Sequence, residues 1–259
     1  MDSATNLEAF LKRDRWFVLA GLAGATALAW AYLVVMAADM NAMAMGAVAM
    51  PAVETWSALD FWLMFVMWTV MMVGMMLPSA APMILFYAAV SRRQRGRGHV
   101  FAPTGVFAAG YLVAWTTFSF ATTALQWALE QAALLSPMIV STSPYLGGAL
   151  LVAAGVYQWT PLKHACLQNC RAPAEFLSRS WRNGTGGVVA MGIHHGIYCV
   201  GCCWVLMGLL FVAGVMNLLW VASITALVLI EKIAPGGHRL ARIAGALFVA
   251  AGTYIMIHS

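Results

Sequence analysis

The sequence predicts an all-α membrane protein, a single polytopic domain over residues 1–259 with a bundle of about seven transmembrane helices. Three observations predict it. Hydrophobic residues fill 63% of the 259 positions and charged residues only 9%, far too few to clothe a soluble domain of this size. The apolar residues fall in blocks suited to a hydrocarbon core of roughly 30 Å, which takes about 20 helical residues. All 14 lysines and arginines fall on one side when these blocks are threaded back and forth.

The first block, 16–38, is uninterrupted and longer than the core of a cleaved signal peptide, so it reads as a signal anchor. The second, 60–90, opens on Asp60, a charge suited to a helix N-terminus, and carries Pro78 and Pro82. Prolines inside a membrane helix free backbone carbonyls and are tolerated where the segment is buried in protein or lines a cavity. The third block is 101–128 and the fourth, 145–160, is short. A single helix over 187–231 would extend roughly 67 Å at about 1.5 Å per residue, twice a bilayer. That stretch therefore folds back near 214–217 into a fifth block, 187–214, and a short sixth, 218–231. The seventh is 240–257.

Charge sets the orientation. Lys12, Arg13 and Arg15 precede the first block, and Arg92, Arg93, Arg95 and Arg97 follow the second. Lys163, Arg171, Arg179 and Arg182 separate the fourth from the fifth, and Lys232, Arg239 and Arg242 flank the last turn. The opposite loops carry Asp39, Glu54, Asp60 and Glu130 and no basic residue. By the positive-inside rule the N-terminus is cytoplasmic and the C-terminus faces outward. The net charge of +5 thus reports topology and not a nucleic-acid partner, and the basic run 91–98 reads as an anchor to anionic lipid heads of the bilayer. Glu231 and Lys232 read as an interfacial ion pair, and His99, His238 and His258 as solvated border residues.

The chemistry concentrates in the fifth block. At about 100° per residue, Cys199 and Cys202 fall within about 40° of His195 on one stripe, with His194 and Cys203 on its flanks. Thiolate and imidazole are the ligands of Cu(I) and Zn(II), and this spacing aims them at one point. Cysteine also packs as a small hydrophobe. That alternative covers one or two cysteines, not three beside a His-His pair, and histidine in a membrane segment is expensive without a partner.

A second cluster follows the fourth block. Cys166 and Cys170 stand four apart behind His164, a spacing that serves a relay site at the mouth of a pathway or a structural zinc site. All five cysteines fall in the cytoplasmic half, where free thiols are expected over disulfides. Methionine is abundant, 18 of 259. Met40, Met43 and Met45 follow the first block beside Asp39, in a segment read as outward and wet, where clustered thioethers favour Cu(I) over zinc. Met71 and Met75 belong to a stripe in the second block that serves as core packing or as weak thioether contacts.

The segments Met71-Met-Val-Gly-Met-Met-Leu-Pro-Ser-Ala-Ala-Pro82, Tyr157-Gln-Trp-Thr-Pro-Leu-Lys-His-Ala-Cys166, Cys170-Arg-Ala-Pro173 and His195-Gly-Ile-Tyr-Cys-Val-Gly-Cys-Cys-Trp204 together resemble a family of uncharacterised bacterial polytopic integral membrane proteins described as predicted metal-binding. The resemblance runs from Met36 onward and implies a bacterial inner-membrane location and a metal site. The resulting expectation is a membrane protein that binds a soft transition metal, Cu(I) first, for transport or for delivery to a metallochaperone or metalloenzyme. Its metal ligands are expected among His194, His195, Cys199, Cys202, Cys203, Cys166, Cys170, His164, Met40, Met43, Met45, Met71 and Met75. Three rival classes remain: a membrane thiol-disulfide oxidoreductase using the Cys199/Cys202 pair, a haem-binding protein using His194 or His195, and a structural subunit whose metal only holds helices together. No phosphate-binding loop or ATPase phosphorylation signature is present, so any active transport is expected to need a gradient or a partner, and no catalytic residue is assigned.

Overall fold

The computed structural model describes residues 2–46, 56–95, 103–132, 134–135 and 143–258, with side chains described from Arg15 onward and excluding 41–46, 94 and 95. Ten helices form the regular structure of the described residues: α1 Asp2–Gly46, α2 Ala58–Arg95, α3 Thr104–Gln131, α4 Pro144–Tyr157, α5 Pro161–Arg171, α6 Pro173–Ser180, α7 Gly184–Gly208, α8 Leu210–Ala213, α9 Leu218–Ile233 and α10 Gly237–Ile257.

Five stretches among them are long and apolar enough to cross a membrane: Arg15–Met40, Ala58–Arg93, Thr104–Gln131, Gly184–Ala213 and Gly237–Ile257. The short fourth and sixth blocks become α4, of 14 residues, and α9, of 16. At about 1.5 Å per residue these reach roughly 21 to 24 Å, less than the hydrocarbon core by themselves. The fold-back expected near 214–217 is where the chain turns. There α8 ends, Gly214 takes a positive φ of 87°, and Asn217 caps α9 by accepting from the Trp220 amide at 3.1 Å.

Two elements differ from the sequence reading. The segment after the first block continues α1 as helix to Gly46, and Met36 and Met40 pack against the hydrophobic core instead of lying in a wet loop. The side chains of Met43 and Met45 lie outside the described residues, as do Met50 and Glu54. The connector after α4 is also helical, folding into α5 and α6, so Cys166 and Cys170 share one face at i, i+4.

Small residues bring the long helices together. Gly110 of α3 and Gly192 of α7 face each other so closely that a Cβ on either would strike the other helix's backbone, and Gly196 admits Ala114. Gly148 and Gly155 of α4 meet Gly252 and Gly245 of α10 in the same way. Such crossings are how apolar helices gain packing where burial against lipid-like surroundings offers no net drive. Between them α2 packs against α1, α3 and α9. Pro78 cannot donate to the carbonyl four residues back, and Trp30 of α1 fills that vacancy by donating Nε1 to the Gly74 carbonyl at 3.2 Å.

Candidate metal centre

The α3–α7 crossing positions the centre. Tyr111, one residue past Gly110, is fully buried and places its hydroxyl 3.1 Å from Cys199 Sγ and 3.1 Å from the Met76 carbonyl of α2. Cys199 and Cys202 lie buried on the inner face of α7 with the rest of the stripe, and Cys203 from its flank is buried with them. The thiols of Cys202 and Cys203 donate back to the Cys199 carbonyl at 3.1 Å and 3.0 Å. Cys203 Sγ also stands 3.9 Å from Met76 Sδ, so the methionine that meets the thiols is Met76. Met71 and Met75 are buried in the same helix.

The two cysteine clusters of the sequence form one. Cys170 of α5 is half-buried as a residue, but its thiol turns inward toward those of Cys199 and Cys202. Their interaction with it, and burial after that, push its ionisation well above the ordinary thiol value. Cys166, one turn earlier, presses its sulfur onto α7 where Gly201 leaves room, since a Cβ there would sit 2.8 Å from Cys166 Sγ. Burial first, then the nearby Cys202, raises its ionisation as well.

One group completes the centre that sequence reasoning placed elsewhere. Lys232 of α9 is buried and donates from Nζ to Cys199 Sγ at 2.8 Å and to Ser79 Oγ at 2.9 Å. Its neighbour Glu231 is not its partner. Adjacent helical residues project about 100° apart and do not face each other. Glu231 instead turns to Lys163, 2.7 Å away, and accepts from Gln158 at 2.9 Å, and Lys163 also donates to Gln158. Lys163 and Lys232 are therefore core residues and not surface anchors. Arg171 closes this second network by donating to the Glu231 and Ala234 carbonyls at the C-terminus of α9.

The histidines divide. The His195 ring lies buried among Phe107, Tyr111 and Phe176, and its Nδ1 has no hydrogen-bond partner among the described residues. His194 points away, exposed, against Phe176 and Tyr198, beside a surface cavity lined by Arg179, Arg182 and Met191. His164 pairs with His238 through their Nδ1 atoms at 3.0 Å, so His238 is a partnered residue and not a freely solvated one.

Among the described residues, no three or more His, Cys, Asp or Glu side chains are disposed as a ready metal cage. The donor set is nonetheless one that a soft ion of low coordination number suits. Cys199, Cys202 and Cys203 lie buried within one and a half turns of α7, the His195 Nδ1 one turn earlier is without a partner among the described residues, and Gly201 opens the space that admits Cys166.

The described residues are almost wholly helical, and the five cysteines belong to α5 and α7, which pack on each other. The chain belongs to the copper chaperone family PpoB2, whose model matches residues 65–255. That span takes in α3 to α9 and most of α2 and α10, and with them every residue of the thiol centre. Neither a curated protein nor a solved structure matches the chain.

Proposed function

We propose that this protein is a membrane-embedded Cu(I) chaperone of the bacterial inner membrane. It crosses the bilayer about seven times, N-terminus cytoplasmic and C-terminus outward. Cys199 and Cys202 hold the cuprous ion, with His195 in reserve, and Cys170 and Cys166 pass it to a metallochaperone or metalloenzyme. Thioethers contribute weaker contacts: Met43 and Met45 on the outer side, and Met71 and Met75 beside Met76 along α2. His164, with His238, stands at the cytoplasmic mouth. Membrane residence is supported by the five long apolar helices and by large side chains such as Leu28, Leu63, Leu219 and Leu247 turned outward, a surface suited to hydrocarbon.

The observation that carries the proposal is the meeting of Cys170 with Cys199 and Cys202. Cys199 and Cys202 belong to a long buried helix, whereas Cys170 belongs to an amphipathic connector of 11 residues that shares its loop with Arg171, Arg179 and Arg182. A tightly held soft ion moves by exchange, in which an arriving thiol joins the metal as another thiolate leaves, the arriving thiol's proton passing to the departing sulfur. Cys170 is placed for that role. Family membership favours delivery over free conduction, and thiolate donors favour Cu(I) over harder ions.

The test is transfer of Cu(I) from the purified, loaded protein to a chromophoric acceptor. Cys170→Ser should keep the copper and release it severalfold more slowly, while Cys199→Ser/Cys202→Ser should not load. Release from Cys170→Ser at the wild-type rate would remove the delivery route.

A further inference from the structure

Lys232 poses a charge problem that its surroundings answer. It is 7% exposed, and the hydrogen bonds of its ammonium go to a neutral hydroxyl, Ser79, and to Cys199 Sγ. The carboxylate next to it in sequence is spent on Lys163, and the other ion pair among the described residues, Arg179–Glu175, lies on the surface. A buried ammonium without a counter-charge is strongly disfavoured. The groups that face it across α2, α3 and α7 are Ser79, Tyr111 and the thiols of Cys199, Cys202 and Cys203. The group on its ammonium that is able to carry a balancing negative charge is the Cys199 sulfur, 2.8 Å away.

We propose that Lys232 is a fixed counter-cation that makes the thiol centre select its ion by charge, accepting a monovalent soft cation over a divalent one. This rests on the reading that Cys199 and Cys202 hold the metal. Two thiolates around a monovalent ion carry a net charge of −1, which the ammonium 2.8 Å from Cys199 Sγ cancels. Two thiolates around a divalent ion are already neutral, and the ammonium is then left buried and unbalanced. Removing the cation inverts the comparison: the monovalent complex becomes an uncompensated anion, and the divalent complex becomes the neutral one. Charge in a low-dielectric site weighs heavily enough for this to dominate over small differences in fit. Lys163 cannot substitute, because its charge is already cancelled by Glu231 at 2.7 Å.

The experiment is a pair of competition titrations on the full chain in detergent under anaerobic reducing conditions, Cu(I) against a cuprous chelator and Cd(II) against a divalent chelator. Wild type, Lys232→Arg and Lys232→Met are compared, with Lys232→Gln carrying the test if the methionine variant does not fold. Wild type and Lys232→Arg should prefer Cu(I). The neutral variant should lose on the order of a hundredfold in Cu(I) affinity while holding or gaining Cd(II) affinity. A general loss of fold lowers both affinities together, so the ratio isolates the charge effect. An unchanged Cu(I)-to-Cd(II) ratio in a neutral variant, with wild type binding Cu(I), would overturn the role of Lys232 alone. Absence of Cu(I) binding by wild type would overturn the metal centre and this inference with it.

Discussion

Lys232 Nζ stands 2.8 Å from Cys199 Sγ, joining the last turn of α9 to the middle of α7. The residue before it, Glu231, faces the other way into a buried network with Lys163 and Gln158. One short helix therefore ties the thiol centre to the connector that carries Cys166 and Cys170.

That network makes a stability prediction. Removing one member of a buried ion pair strands the other charge, at a cost of about 3–5 kcal/mol. Lys163→Met and Glu231→Gln should each lower the thermal midpoint in detergent sharply, and the Lys163→Met/Glu231→Gln double variant should recover much of the loss. Equal additive losses in a double-mutant cycle would show that the pair is not coupled.

The connector thiols make a pH prediction. Cys166 and Cys170 both ionise above the ordinary thiol value of about 8.5, so at neutral pH they hold their protons and alkylate slowly. Their alkylation rates should keep climbing past pH 9, where an unperturbed thiol levels off. Because the folded chain holds these protons more tightly than the unfolded one, their contribution to stability is full below the unfolded thiol value and is lost as pH rises through the folded value. A midpoint in the alkylation profile at about pH 8.5 would contradict the shift.

Two glycines of α7 should respond differently to alanine. At Gly192 the new methyl meets backbone of α3, and separating the helices should cost about 1–3 kcal/mol and disturb the Tyr111–Cys199 contact. At Gly201 it meets the Cys166 side chain, whose sulfur is 2.8 Å from the Cβ position. Gly201→Ala should leave stability nearly unchanged but expose Cys166 to alkylation. Thermal melts with thiol mapping of both variants separate the two outcomes.

Much of this was legible in the sequence, and the misses have physical causes. The α7 stripe follows directly from helical spacing, so Cys199, Cys202 and His195 emerge together on one buried face. The turn at 214–217 follows from length alone. The union of Cys170 with that stripe was not legible, because it depends on how α5 docks and no periodicity encodes the docking of a connector. Lys232 was visible but was assigned to Glu231 as a neighbour in sequence, although consecutive helical residues do not face each other. Tyr111 and Ser79 carried no signal by themselves and matter only through the α3–α7 and α2–α9 crossings that place them.

The most direct test is elemental analysis of the detergent-purified protein from copper-replete cells, prepared without chelators, beside Cys199→Ser/Cys202→Ser. Copper should accompany the wild-type chain in stoichiometric amount and be lost from the double variant. Copper retained by the double variant, or zinc in place of copper in the wild type, would contradict a cuprous centre on these two thiols.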